Sequence, residues 1–276
     1  MMEHPPRLVA TDLDGTLLRK DKSVSARTAA ALERVAALGT RVVLVTGRPL
    51  RWLAMVYDQL HAPLPAVCAN GAVVYDPVTD TVLRADPLAP ELMAEVARRL
   101  RAAVPGVTFA VEVEDGRVMW HGEDWPAHWN NDHPSAYVVP EEELLTAPAV
   151  KLLARSNQDP ETFVRTVAGA IAGLAEATHS SYSGLVEISA AGVTKAAGLA
   201  WLCERWGLGP TDVIAFGDMP NDVPMLTWAG RAVAVANAHP AVRDIADEVT
   251  ASNEEDGVAA YLEEIFRLHP AAPAED

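Results

Sequence analysis

Four short apolar runs each end in a polar, glycine-containing cluster, and this repeated pattern constrains the fold more than any other feature of the chain. Leu8-Val9-Ala10 leads to Asp12-Leu13-Asp14-Gly15-Thr16, and Val42–Val45 leads to Thr46-Gly47-Arg48. Ala66–Ala69 leads to Asn70-Gly71, and Val213–Phe216 leads to Gly217-Asp218-Met219-Pro220-Asn221-Asp222. Uniformly apolar runs of this length suit strands buried on both faces of a parallel sheet. Residues 25–38 are rich in Ala, with apolar spacing of three and four, and Gly39 follows as a helix stop. The first 71 residues therefore read as βαβαβ, the grammar of an α/β sheet covered by helices. In such sheets ligands gather at the carboxyl ends of the strands. One carboxylate at a strand end is often only a helix cap; four coordinated clusters predict a site.

The middle of the chain has a different texture. Val73–Tyr75 and Thr81–Arg84 read as a hairpin turning at Asp76-Pro77. A helix is predicted over 90–103, and Val107–Val113 and Arg117–His121 flank Asp115-Gly116, a hairpin signal. Residues 150–155 read as a strand, 160–173 as a helix and 184–189 as a strand. This is an α+β insertion at 86–184, between core segments 1–85 and 185–276. The parallel grammar then resumes: Thr194 caps a helix through Trp206, Ala232–Val235 is a strand, and helices occupy parts of 221–229, 239–247 and 256–268. Pro270 onward reads as a frayed tail.

Composition narrows the function classes. Half of the 276 residues are hydrophobic, enough for a sizeable core, and 22 Lys+Arg stand against 38 Asp+Glu for a net charge of −16. That balance argues against general nucleic-acid binding and against a polybasic membrane anchor. The acidity is shared: residues 86–184 carry 7 basic and 15 acidic side chains, the remainder 15 and 23. An anionic substrate therefore needs a cation or a few well-placed basic groups. Cys68 and Cys203 lack CxxC spacing and read as buried free thiols, which fits a reducing compartment. No signal-like apolar stretch and no run near the ~20 apolar residues of a membrane span is present. The expectation is a soluble cytoplasmic protein. GxGxxG, Walker A, HExxH and GxSxG patterns are all missing from the sequence.

Taken together, the clusters resemble the haloacid dehalogenase superfamily, in particular its Cof-type phosphatases, which carry a large cap between the third strand and a later Lys motif. Asp12-Leu13-Asp14-Gly15-Thr16-Leu17 matches the first motif, DxDGT, and Thr46-Gly47-Arg48 the second. Lys195, within Gly192-Val193-Thr194-Lys195, matches the third, and Gly217-Asp218-Met219-Pro220-Asn221-Asp222 matches the fourth, GDxxND. Pro220 departs from the small residue common at that position. The resemblance implies a Rossmann-like core with a mainly parallel sheet, an inserted cap, and Mg²⁺-dependent hydrolysis of a small phosphorylated metabolite, such as a sugar phosphate or phosphorylated cofactor.

The implied roles make chemical sense. Phosphate monoesters hydrolyse extremely slowly unaided, so the barrier must fall by roughly 20 kcal/mol or more. A carboxylate attacking phosphorus splits the step, and the resemblance gives this role to Asp12. Asp14 would protonate the leaving alkoxide and then deprotonate water. Mg²⁺ offsets the repulsion between carboxylate and phosphate; its implied ligands are Asp12, the Asp14 carbonyl and Asp218, with Asp222 orienting water or Lys195. Thr46, Gly47, Asn221 and Lys195 would donate to the phosphoryl oxygens. Arg48 either touches the substrate or braces its loop.

Several readings stay open at this stage. Trp120, Trp125 and Trp129, with His121, His128, His133, Asn130, Asn131 and Asp132, form either a specificity wall or the packing of the insertion or a dimer contact. Glu141-Glu142-Glu143 reads as a solvated helix start. Glu187 is a hinge or substrate residue. Hinges for cap opening are expected near 84–88 and 181–186. The alternatives to a phosphatase are a phosphomutase and a non-catalytic phosphometabolite sensor. The chain is expected to be a monomer or homodimer whose partner is a small metabolite, not a nucleic acid or a membrane.

Overall fold

The computed structural model describes residues 5–60, 62–126, 133–178 and 184–268. Its first elements are β1 (Leu8–Thr11), α1 (Ala26–Ala37), β2 (Arg41–Val45), α2 (Ala54–Tyr57), β3 (Ala66–Cys68), β4 (Val73–Asp76) and β5 (Thr81–Ala85). Then come α3 (Pro90–Ala103), β6 (Thr108–Val113), β7 (Val118–His121), β8 (Ala136–Val138), β9 (Ala149–Arg155), α4 (Pro160–Ala170), β10 (Ala175–Thr178) and β11 (Leu185–Ala190). The last are α5 (Lys195–Arg205), β12 (Val213–Gly217), α6 (Val223–Trp228), β13 (Arg231–Ala234), α7 (Pro240–Arg243), β14 (Glu248–Val249) and α8 (Gly257–Ile265). The chain forms two compact units, one of residues 1–45, 55–65 and 200–276, the other of residues 46–54 and 66–199.

The first unit is a Rossmann-like α/β layer. Its strands run in the order β14-β13-β12-β1-β2, and every neighbouring pair is parallel. The strands read as continuous apolar runs because both faces are buried: Leu8, Val9, Ala10, Val43, Leu44, Val45 and Val213–Phe216 have no solvent exposure. Helix α1 begins at Ser25, whose side chain accepts the N–H of Thr28, and buries Thr28, Ala29, Ala31, Leu32 and Val35. The register decides what meets at the rim. Thr11 lies opposite Phe216, so Asp12 and Asp218 follow the carboxyl ends of two adjacent parallel strands.

The second unit is α+β. It contains the antiparallel pairs β3–β4 and β4–β5, and a six-stranded sheet in the order β10-β11-β9-β6-β7-β8. That sheet is antiparallel apart from β7–β8. Helix α3 presents Met93, Val96, Ala97 and Leu100, a helical spacing, and α4 presents Phe163 and Val167. These pack with Phe109, Val111, Leu152, Val186 and Ile188 in one apolar cluster. Ala110, Met119 and Leu153, which point to the opposite face of their strands, form a smaller cluster with Trp125.

The sequence pattern missed three strands. The β10 residues are all half-buried and lack clear alternation, β14 has two exposed residues, and β8 has three residues paired parallel to β7. The predicted helix over 160–173 stops at Ala170, and the chain turns at Gly173, where φ is +76°. At Asp115-Gly116 the chain turns through three successive residues at positive φ, Glu114, Asp115 and Gly116. No helix among the described residues is long and apolar enough to cross a membrane.

Candidate active site

The rim of the parallel layer gathers three buried carboxylates. Asp12, Asp218 and Asp222 are 4%, 6% and 0% exposed, and each offers an oxygen within 4.8 Å of the others. Backbone bonds fix the approach. The Asp12 N–H donates to Phe216 O at 3.0 Å, which continues the β1–β12 pairing by one residue. Gly15, at φ +84°, turns the first loop toward Asp218; a Cβ there would lie 2.3 Å from an Asp218 carboxylate oxygen, so only glycine permits the approach. The Thr16 hydroxyl donates to Asp218 Oδ1 at 2.9 Å. The loop after β12 closes on itself, with Asp222 Oδ2 accepting the N–H groups of Asp218 and Met219, both at 2.9 Å. Gly217 leaves room for this closure, since a Cβ would meet Asp222 Cβ at 2.6 Å.

Three buried carboxyl groups this close turn their oxygen donors toward one point. Oxygen donors at such spacing fit a hard divalent cation, and Mg²⁺ with a few carboxylates and retained waters is a chemically matched occupant. Asp14 is placed differently. It is half-exposed, and its carboxylate pairs with Lys22 Nζ at 2.8 Å. Sequence reasoning did not single out Lys22 or the Thr16 hydroxyl; Thr16 lay inside the motif, whereas nothing in the sequence marked Lys22. Asn221 is buried at the turn before α6.

The remaining predicted residues lie in the second unit and come together there. Thr46 and Arg48 are 1% and 6% exposed. The Thr46 N–H donates to Val67 O at 2.8 Å, and Thr46 Oγ1 accepts the Arg48 N–H at 3.0 Å. That hydroxyl keeps its own proton to donate elsewhere. Asn70 sits in the left-handed region at φ 57°, and its N–H donates to Thr46 O at 3.1 Å. Lys195, 1% exposed, is the first residue of α5, where Thr194 Oγ1 accepts the Ala197 N–H at 3.1 Å as the cap. The start of α5 presses on Gly71: a Cβ on that residue would lie 2.0 Å from Thr194 O. Gly198 packs against the same turn: a Cβ there would lie 2.6 Å from Val67 Cγ1 and 3.0 Å from Gly71 Cα. Two glycines thus seat the Lys195 helix beside the Asn70 turn.

Of the aromatic and histidine segment, Trp125 is buried and packs with Met119 and Leu153. His121 Nδ1 lies 2.9 Å from Gly122 O, and His133 Nδ1 lies 2.7 Å from Ser135 Oγ. Burial, helped by the Arg51 charge, holds His133 below the usual imidazole range, against the opposing pull of Glu112. Trp129, His128, Asn130, Asn131 and Asp132 lie outside the described residues. Glu187 is buried and bonds to Lys151 and Asn70, a pairing that the sequence reading did not anticipate. The lone Lys in the apolar run of β9 was the available signal.

Comparison with known proteins adds an independent line. A family model of haloacid dehalogenase-like hydrolases matches residues 9–262. The chain is 33% identical over 272 residues to a Bacillus subtilis 5-amino-6-(5-phospho-D-ribitylamino)uracil phosphatase, covering 97% of this chain and all of that one. It is 30% identical over 271 residues to an Escherichia coli pyridoxal phosphate phosphatase, covering 93% and 97%. A solved Streptococcus mutans structure superposes with a TM-score of 0.84 at 23% identity, covering 95% of this chain and 99% of that one.

Proposed function

The chain belongs to the haloacid dehalogenase-like hydrolases and is a phosphoric monoester hydrolase, and from that premise we propose that it is a Mg²⁺-dependent phosphatase working through an aspartyl-phosphate on Asp12. The observation that carries this reading is the buried carboxylate group of Asp12, Asp218 and Asp222. Asp12, Asp218 and the Asp14 carbonyl would hold the ion. Once bound, it supplies the positive charge that lets a carboxylate approach a phosphate dianion.

The protein's own groups do the rest. An Asp12 oxygen attacks phosphorus, and the bond from phosphorus to the ester oxygen breaks. Asp14 gives its proton to the departing alkoxide. Asp14 is half-exposed, and Lys22 pairs with its carboxylate, which favours the ionised form that acts as base in the second half. In the second half Asp14 takes a proton from water, the water oxygen attacks phosphorus, and Asp12 is released as carboxylate. Lys195, Thr46, Gly47 and Asn221 are assigned to the phosphoryl oxygens by the family pattern. Asp222, bonded to the N–H groups of Asp218 and Met219, fixes the loop that carries Asp218.

The substrate is a small phosphorylated metabolite. The relatives act on a phosphoribitylamino-uracil and on pyridoxal phosphate, two compounds that each join a phosphate to a heteroaromatic ring. Residues 86–184 are proposed as the specificity-determining insertion on a core of 1–85 and 185–276. A panel of phosphorylated metabolites with a free-phosphate readout tests the reading. Release that requires Mg²⁺ and is lost in Asp12→Asn supports it; release that survives Asp12→Asn contradicts the covalent route.

A further inference from the structure

We infer that Lys151 and Glu187 are positioning residues that hold the Thr46-Gly47-Arg48 loop in its working conformation, an inference that rests on the phosphatase reading. Lys151 is the third residue of β9, between Val150 and Leu152, and is 1% exposed. Its ammonium makes two contacts. It donates to Glu187 Oε1 at 2.9 Å and to the main-chain carbonyl of Gly47. Glu187, on β11, is 7% exposed and accepts from Asn70 Nδ2 at 2.8 Å. The same Asn70 amide reaches Thr178 Oγ1 at 3.2 Å.

The loop is thereby tied at three successive carbonyls. Thr46 O accepts the Asn70 N–H, Gly47 O accepts Lys151 Nζ, and Arg48 O accepts the Ala69 N–H. A trans peptide is planar, so fixing a carbonyl fixes the direction of the N–H on its other side. The tie at Thr46 O aims the Gly47 N–H, and the tie at Gly47 O aims the Arg48 N–H into Thr46 Oγ1. The Gly47 N–H and the Thr46 hydroxyl are the two donors assigned to the phosphoryl group. Asn70, which sets one tie, is itself held by Glu187, and Glu187 is held by Lys151. A buried ion pair is weak evidence of stabilisation, since apolar residues of similar volume often do as well. An apolar side chain, however, cannot hold the Gly47 carbonyl. The site-forming loop and the strands bearing Lys151 and Glu187 also belong to one compact unit.

The test compares Lys151→Met with the double variant Lys151→Met/Glu187→Met, which removes the uncompensated buried carboxylate. Turnover of p-nitrophenyl phosphate in Mg²⁺, melting temperature, and amide hydrogen exchange at Gly47 and Arg48 are measured for each and for the unaltered chain. The double variant should recover the melting temperature while kcat stays on the order of a hundredfold down, as displaced donors predict. KM should change far less, and exchange at Arg48 should rise roughly tenfold or more. Recovery of both kcat and exchange protection in the double variant would overturn the inference and leave the pair a packing element. If the unaltered chain hydrolyses no ester, the phosphatase reading fails, and the exchange rates alone decide whether Lys151 sets the loop. If the double variant does not fold, Asn70→Gly decides, because glycine accepts the positive φ of that residue. A fall in kcat of about fivefold or more, or a matching rise in exchange, sustains the inference; no change in either refutes it.

Discussion

The two compact units handle buried charge in opposite ways. In the first, Asp12, Asp218 and Asp222 crowd three carboxylates at one strand rim. In the second, two buried pairs of opposite charge form: Arg51 with Glu112, both 2% exposed in their side chains, and Lys151 with Glu187. The Arg51 guanidinium grips Glu112 with two bonds of 2.9 Å and also lies over the Trp52 ring. A matched pair neutralises itself and serves geometry. Three carboxylates within reach of one another offer the hard oxygen donors that suit a divalent cation.

The largest expected effect lies in the crowded cluster. Asp12→Asn should lower kcat by on the order of ten-thousandfold, as removal of a nucleophile does elsewhere, with little change in melting temperature. Phosphate release measured with the best substrate checks it. Next, Asp218→Asn should weaken Mg²⁺ binding by roughly a hundredfold or more, read by calorimetric titration. In the unaltered chain Mg²⁺ should raise the melting temperature by mass action, and that gain should shrink in Asp218→Asn.

The matched pairs should respond through stability. Arg51→Met should cost about 3–5 kcal/mol by leaving Glu112 buried and alone, and adding Glu112→Leu should recover most of the loss. Denaturant titration of both variants tests this. If the single substitution costs nothing, the contrast between the two units is broken.

The smallest effect concerns the thiols. Burial pushes Cys68 and Cys203 up to about 12. Both should resist alkylation at pH 8 in the folded chain. A thiol whose folded value is raised favours folding fully below its unfolded value of about 8.5 and loses that contribution as pH rises toward 12. Stability should therefore decline above about pH 8.5, more gently when either Cys is replaced by Ser.

Much of the first unit was legible because its signals are local. An apolar run ending in Asp-x-Asp-Gly states both the burial of the strand and the polarity of its rim, and parallel pairing then brings Asp12 and Asp218 together without further information. The second unit was harder to read. Helix α3 appeared over its full length, 90–103, because its apolar spacing is regular. Strands β8 and β10 escaped, as did β14 in the first unit, because short or half-buried strands carry no alternation. The Lys151–Glu187–Asn70 network joins residues up to 117 positions apart, and each alone looks ordinary. A lysine inside an apolar strand signals that some partner exists, but only the tertiary pairing of β9 with β11 supplies Glu187.

The proposed chemistry requires one divalent ion shared by Asp12 and Asp218. Crystals soaked in Mn²⁺ and measured for anomalous scattering test this directly. A single strong peak about 2.0–2.3 Å from an oxygen of each residue is the predicted result. No peak at this position in a chain that still hydrolyses phosphate esters would contradict it.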